Sequence, residues 1–283
     1  MLADYHVHTD YSDDSVYPME AVVQDALALG LDELCFTDHV DYGIKRDWDD
    51  PRGILTRPGA PGEPAEMPLC NVDYPRYFHQ IRELQKQYAG RIRLKAGLEF
   101  GMQVHTIPQY QALLEQYPMD FVLLSVHQID DLEFWTQDFQ RGRTQKEYNL
   151  RYYEELLALV QQYHGYSVLA HLDLITRYDL QGTCPFTLLR PILTEILRTV
   201  IADGKSIEVN TSCFRYGLQD LTPSREILQL YRELGGRILT FGSDSHKPEH
   251  LGASLREVQE ELRRLGFTEW CTFDTMQPMF HPL

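Results

Sequence analysis

Thiols are scarce in this chain. Only five of its 283 residues are cysteine (Cys35, Cys70, Cys184, Cys213 and Cys271), an odd number, scattered and without a CxxC pair. That argues against a disulfide framework and for reduced, mostly buried thiols in a cytoplasmic protein. Long apolar runs are missing too. Nothing approaches the roughly 18 residues that a membrane-spanning helix requires, and the opening Met1–His8 has neither the basic nor the apolar region of a secretory leader. The fold is therefore expected to begin at the first residues, with no membrane partner. Positive charge is in short supply, with 26 Lys and Arg against 42 Asp and Glu for a net −16. Such a surface repels phosphate backbones unless bound cations reverse the sign locally, so no nucleic-acid partner is expected. There is no GxSxG, no catalytic cysteine constellation, no P-loop and no GxGxxG.

What is present is the balance of a folded globular protein, with 43% hydrophobic and 24% charged residues and a mean hydropathy of −0.37. Short β-type runs at Asp4–His8, Leu34–Thr37, Ile92–Glu99, Phe121–Val126, Ser167–Ala170, Ser206–Val209 and Arg237–Phe241 alternate with segments of helical period. That alternation predicts an α/β fold around a parallel sheet. Met19, Val22, Val23, Ala26 and Leu27 repeat at helical spacing between Pro18 and Gly30, and similar stripes end at Gly90, Gly165, Gly204, Gly235 and Gly266. No repeat or charged tail divides the chain, so a single domain over 1–283 is expected. Residues 44–70 interrupt the regularity with five prolines and three glycines, and read as a surface loop insertion, either a lid or a tolerated excursion.

The strand ends carry the chemical signal. His6 and His8, Asp38-His39, Glu99, His127, His171, Asn210, and Asp244 with His246 each follow or close a predicted strand. In a parallel barrel all carboxyl ends lie on one face, so residues far apart in sequence converge there. His6 and His8 are two apart, which in a strand directs both imidazoles to one side. A lone strand-end histidine is usually structural, but chance would scatter the 11 histidines over helices and loops as well. His79, His105, His164, His250 and His281 do lie elsewhere and are read as structural. Imidazoles and carboxylates without thiolates suit Zn²⁺, Mn²⁺ or Fe, and about nine such groups are too many for one tetrahedral ion. An aspartate of the polar loop after His8 can turn back to such ions.

Taken in order, His6-Val-His8-Thr9, Ser12-Asp13-Asp14-Ser15, Thr37-Asp38-His39, Gly97-Leu-Glu99, Ser125-Val-His127, Ala170-His171 and Gly242-Ser-Asp244-Ser-His246 resemble the polymerase and histidinol phosphatase (PHP) family over essentially the whole chain. His171-Leu-Asp-Leu-Ile-Thr-Arg177-Tyr and Glu208-Val-Asn210-Thr-Ser212-Cys-Phe-Arg215 look like its histidinol-phosphate phosphatase branch. The resemblance implies a distorted (β/α)7 barrel with three divalent or transition metal ions at the C-terminal strand ends. One ion would take His6, His8, Glu99 and Asp244; a second would share Glu99 and add His127 and His171. The third would take His39, His246 and Asp14, with Asp13 the alternative. Arg177 and Arg215 would clamp the phosphate of a small phosphomonoester, L-histidinol phosphate, as guanidinium forks do. A metal-bridging hydroxide would attack phosphorus with no protein nucleophile, in histidine biosynthesis. Asp41 is a candidate partner for the substrate amine. A PHP phosphoesterase acting on a nucleotide, oligonucleotide or phosphotyrosine, and a catalytically inactive PHP scaffold, are the alternatives.

Overall fold

Seven strands run parallel and follow one another around a sheet that nearly closes: β1 (Ala3–Val7), β2 (Glu33–Phe36), β3 (Arg93–Gly101), β4 (Phe121–Ser125), β5 (Val168–Leu169), β6 (Ser206–Asn210) and β7 (Leu239–Gly242). The structure is a computed structural model that describes residues 1–58 and 65–283. All five residues of β1, β4 and β6 are buried. This is the burial of strands covered on both faces, and it explains why their sequences read as short apolar runs rather than alternating patterns. Just past β7, the Ser245 amide donates to the His6 carbonyl (3.2 Å) and the His8 amide donates to the Ser245 carbonyl (2.8 Å), so the sheet comes round to its own first strand. The result is the distorted seven-stranded (β/α) barrel expected from the sequence.

Helices fill the crossovers: α1 (Met19–Ala28), α2 (Tyr74–Gln87), α3 (Ile107–Gln116), α4 (Gln145–Gln162), α5 (Phe186–Ala202), α6 (Arg225–Glu233) and α7 (Leu255–Arg264). Three of their starts carry a side-chain cap, those of α2, α4 and α6. Asp73 accepts from the Arg76 amide at the head of α2, and Thr144 with Glu147 forms a reciprocal capping box at the head of α4. Helix α3 lacks a terminal glycine, and the sequence periodicity did not single it out. The C-terminal hairpin of Glu269–Asp274 with Gln277–Pro282 is a second element absent from the expectation. It packs on the barrel through Tyr5, whose ring meets Phe121 and Phe273 and whose hydroxyl takes the Phe273 amide (2.8 Å).

Insertion 44–70 is more ordered than a plain loop. Leu55–Pro58 pairs antiparallel with Glu66–Leu69, and Arg46 bridges to Cys70 at the root. Residues 59–64 of the predicted loop lie outside the described residues. Four of the cysteines are buried, Cys70 is half-buried, and all five are free thiols. Among the described residues no helix is long and apolar enough to cross a membrane.

Barrel closure depends on Gly242, where an added Cβ would overlap the backbone and Cβ of His6. Gly242→Ala is expected to destabilise the fold by about 1–3 kcal/mol, as overpacking in a close-packed core does. An unchanged Tm in thermal denaturation would contradict that.

Candidate metal centre

The centre is organised around the carboxylate of Glu99, near the end of β3 and 1% exposed. Strand β3 is flanked by β2 and β4, so its side chain reaches the mouth of the barrel with neighbours on every side. Oε2 lies 3.1 Å from His6 Nε2, 3.5 Å from His8 Nε2 and 2.9 Å from His39 Nδ1. Oε1 lies 2.8 Å from His171 Nε2 and 3.2 Å from His127 Nε2, and takes the Ser125 hydroxyl at 2.6 Å. Five imidazoles from four different chain segments thus surround one buried carboxylate.

The remaining candidates complete the cage. Asp244 Oδ1 stands 3.8 Å from His6 Nε2 and 3.7 Å from His8 Nε2. Asp14 Oδ2 stands 3.2 Å from His246 Nε2 and 3.5 Å from His39 Nε2, while those two imidazole nitrogens are 3.3 Å apart. The loop bearing Asp14 is held by Asp38, which accepts from the Thr9 amide (2.7 Å) and from the Ser12 hydroxyl (2.7 Å). Asp13 faces the other way and accepts from Lys45 Nζ at 2.6 Å. His171 and Asp244 both have positive φ, 23° and 55°. Backbone in that region costs on the order of 1–3 kcal/mol for a residue with a side chain, strain that clusters at functional sites.

The donor set fits cations. His6 Nε2, His8 Nε2 and His39 Nδ1 are buried without a hydrogen-bond partner, and among the described residues four clusters of three donor groups have ligand atoms within 4.8 Å of one another. Burial pushes the Glu99 carboxyl up, but His6, His127 and His39 outweigh it and hold it well below the usual carboxylate range. Burial also opposes charge on His127, yet Glu99 and Asp41 carry it up to about 9. His8 goes the other way, pressed well below its ordinary value by burial and by His246, His39 and His6. A cage in which some imidazoles are driven to take protons and others to refuse them is short of positive charge at fixed points. Coordinated cations would supply that charge, because they bind neutral imidazole and ionised carboxylate together.

Supporting groups orient the rings. Glu208 Oε1 lies 2.6 Å from His6 Nδ1, and its Oε2 accepts from the His171 amide at 2.8 Å. Asp41, suggested by the sequence as a partner for the substrate amine, is instead engaged at both oxygens. Its Oδ1 lies 2.8 Å from His127 Nδ1 and its Oδ2 lies 3.0 Å from Lys45 Nζ. A carboxylate on Nδ1 places the ring proton there and leaves Nε2 as the lone pair facing the cage.

Above the cage opens a cavity of about 380 Å³ whose lining includes Arg177, Arg215, Tyr216, Glu133 and Trp135. Arg177 donates to the Ser212 hydroxyl (2.6 Å) and approaches Asp244 Oδ2 (3.3 Å), with its guanidinium over the Tyr216 ring. Arg215 donates to the carbonyls of Ser243 and Asp244. All nine candidate ligands and both arginines therefore meet at one end of the barrel, His6 and His8 fully buried among them. Of the histidines read as structural, His105 pairs with Asp131 and His164 with Asp203, but His250 lines the cavity. The sequence also passed over Lys45 and Glu208. For Glu208 a signal existed, since it stands two residues before Asn210 on a buried strand.

Glu208→Gln, which removes charge behind His6 while keeping its shape, is expected to weaken metal retention about 10–100-fold. Competition of the metal-loaded protein with a chelator reads this, and wild-type retention would contradict it.

Residues 4–212 match the PHP domain family model. A histidinol-phosphatase of Lactococcus lactis is 31% identical over 277 residues, covering 97% of this chain and 95% of that one. A crystal structure of histidinol phosphate phosphatase from Lactococcus lactis, complexed with zinc, L-histidinol and phosphate, superposes with a TM-score of 0.84 at 30% identity, covering 98% of both chains. A solved structure from Listeria monocytogenes shares the fold, with a TM-score of 0.71 at 19% identity over 90% of this chain and 99% of that one. With the strand order, the cage and these likenesses in agreement, the chain belongs to the PHP family.

Proposed function

We propose that the chain is a metal-dependent phosphatase that hydrolyses L-histidinol phosphate to L-histidinol and inorganic phosphate, a step of histidine biosynthesis in the cytoplasm. The observation that carries this reading is the buried Glu99 carboxylate ringed by five imidazoles in the same cavity as two guanidinium groups. The likeness to the Lactococcus lactis phosphatase supplies the substrate.

Within this reading the donors around Glu99 divide into three ligand sets. Oε2 with His6, His8 and Asp244 forms one set, and Oε1 with His127 and His171 a second. Asp14, His39 and His246 make a third. We read them as sites for three ions, with zinc favoured by the Lactococcus structure and iron or manganese compatible with the same donors. Bound there, such ions neutralise phosphoryl oxygens and lower the pKa of a coordinated water to around 7. The protein's own part is positioning. Arg177 and Arg215 are held at the cavity wall against Asp244 and Tyr216, so little rotamer freedom is left to lose when a phosphate arrives. Their charge also offsets the −16 net charge at the one place where a dianion must enter. Residues 1–283 are read as one catalytic unit. The last strand and the Asp244 and His246 that follow it lie beyond the matched span yet face residues from the first fifteen.

Two outcomes test the reading. On a panel of histidinol phosphate, a 3′,5′-bisphosphonucleotide and a phosphotyrosine peptide, released phosphate should give the highest kcat/KM with histidinol phosphate; a higher value on either of the others overturns the substrate. Arg215→Ala should retain its ions and lose about 10–100-fold in kcat/KM, the equivalent of one charged hydrogen bond. Glu99→Gln should disturb the first two ions together. Full activity in either variant contradicts the assigned role.

A further inference from the structure

Lys45 lies at the root of insertion 44–70, and its ammonium is almost out of solvent. Nζ sits 2.6 Å from Asp13 Oδ1 and 3.0 Å from Asp41 Oδ2, and the three side chains are 10%, 7% and 6% exposed. Burying an ion costs several kcal/mol, and a buried charge left alone by loss of its partner is strongly destabilising. Each member of this triad therefore constrains the other two. Asp41 reaches on to His127 Nδ1, while Asp13 is joined by one peptide bond to Asp14, which faces His39 and His246. One ammonium thus links the supports of two ligand sets that share no strand.

The seat of Lys45 is firm. Its amide donates to the Asp41 carbonyl (2.8 Å), the Asp41 amide donates to Asn71 Oδ1 (2.9 Å), and the Asn71 amide donates to the Arg46 carbonyl (2.7 Å). The two ends of the insertion are therefore tied together beside the cavity. Gly101 makes room for this arrangement, because a side chain there would overlap both the Asp41 carboxylate and the His127 ring.

We infer that Lys45 is a positioning residue of the metal centre, its ammonium fixing the distance between the His127 arm and the Asp14 arm. The inference rests on the reading of the cage as a multi-ion site. Without the ammonium, the Asp13 and Asp41 carboxylates repel each other across a buried gap, and the two arms spread. The root of the insertion, rather than its hairpin, then serves the centre.

Metal-loaded full-length protein is dialysed against increasing chelator, with ions per chain counted by elemental analysis and the fold followed by circular dichroism. Lys45→Met, which keeps the stem and deletes the charge, should release the ions of the His127 and Asp14 sets at about 10–100-fold lower chelator while retaining the ion on His6 and His8. Asp13→Asn should release the same ions and carries the test if Lys45→Met does not fold. Lys45→Arg should restore most of the retention, and Glu66→Ala on the exposed hairpin should behave as wild type. Stepwise release identical to wild type overturns the inference, as does loss of all ions only in step with unfolding. A wild-type protein that holds no ions removes the multi-ion reading itself, a result distinguishable because no substrate enters the measurement.

Discussion

A carboxylate sealed inside a barrel mouth, with both oxygens faced by imidazoles, is the constraint on which this molecule turns. An ionised Glu99 taken out of water costs several kcal/mol unless positive charge meets it at close range. Five histidines from the ends of β1, β2, β4 and β5 stand in that position, none of them supplied by the helix that follows β3. The strand order is what brings them there, so the closure of the sheet from β7 back to β1 is as much a part of the site as the ligands are. His6 shows the coupling most directly: its carbonyl takes a closing hydrogen bond from Ser245 while its ring faces Glu99 on one side and Glu208 on the other.

Charge is then layered outward. Around Glu99 lies the imidazole shell, behind that shell the acids Glu208 and Asp41 that orient rings, and at the cavity wall the cations Lys45, Arg177 and Arg215. Asp244 belongs to two layers, facing His6 and His8 with one oxygen and the two guanidinium groups with the other. That sharing ties the two arginines to the cage, so under the proposed function a phosphoryl group held by them would lie over the ions. A strongly acidic protein can in this way present a locally cationic pocket to a small dianion while its outer surface turns polyanions away.

The barrel was legible in the sequence, and its candidate ligands could be named there, because both follow from local signals. Buried strands read as short apolar runs, helices end on glycine, and a histidine or acid at each strand end becomes a cluster as soon as the sheet is parallel. Helix α3 escaped because Pro118 rather than a glycine follows it, and the C-terminal hairpin because its seat on the barrel is a contact with Tyr5, far away in sequence. Between Asp13 and Asp14 the sequence favoured Asp14 on spacing from His6, and the geometry supports that preference, because Lys45 engages Asp13 while Asp14 faces His39 and His246. For Asp41 the sequence suggested the substrate amine and missed the two side chains its oxygens meet. A carboxylate near a cavity reads as available until the lysine four residues on and the imidazole across the barrel are seen to occupy it.

Anomalous X-ray scattering from crystals of protein purified without chelator tests the central claim most directly, because it locates each ion against named side chains. The expected result is three peaks: one between Glu99, His6, His8 and Asp244, one between Glu99, His127 and His171, and one between Asp14, His39 and His246. Maps with no ion beside Glu99, in protein that still hydrolyses phosphate esters, would contradict it.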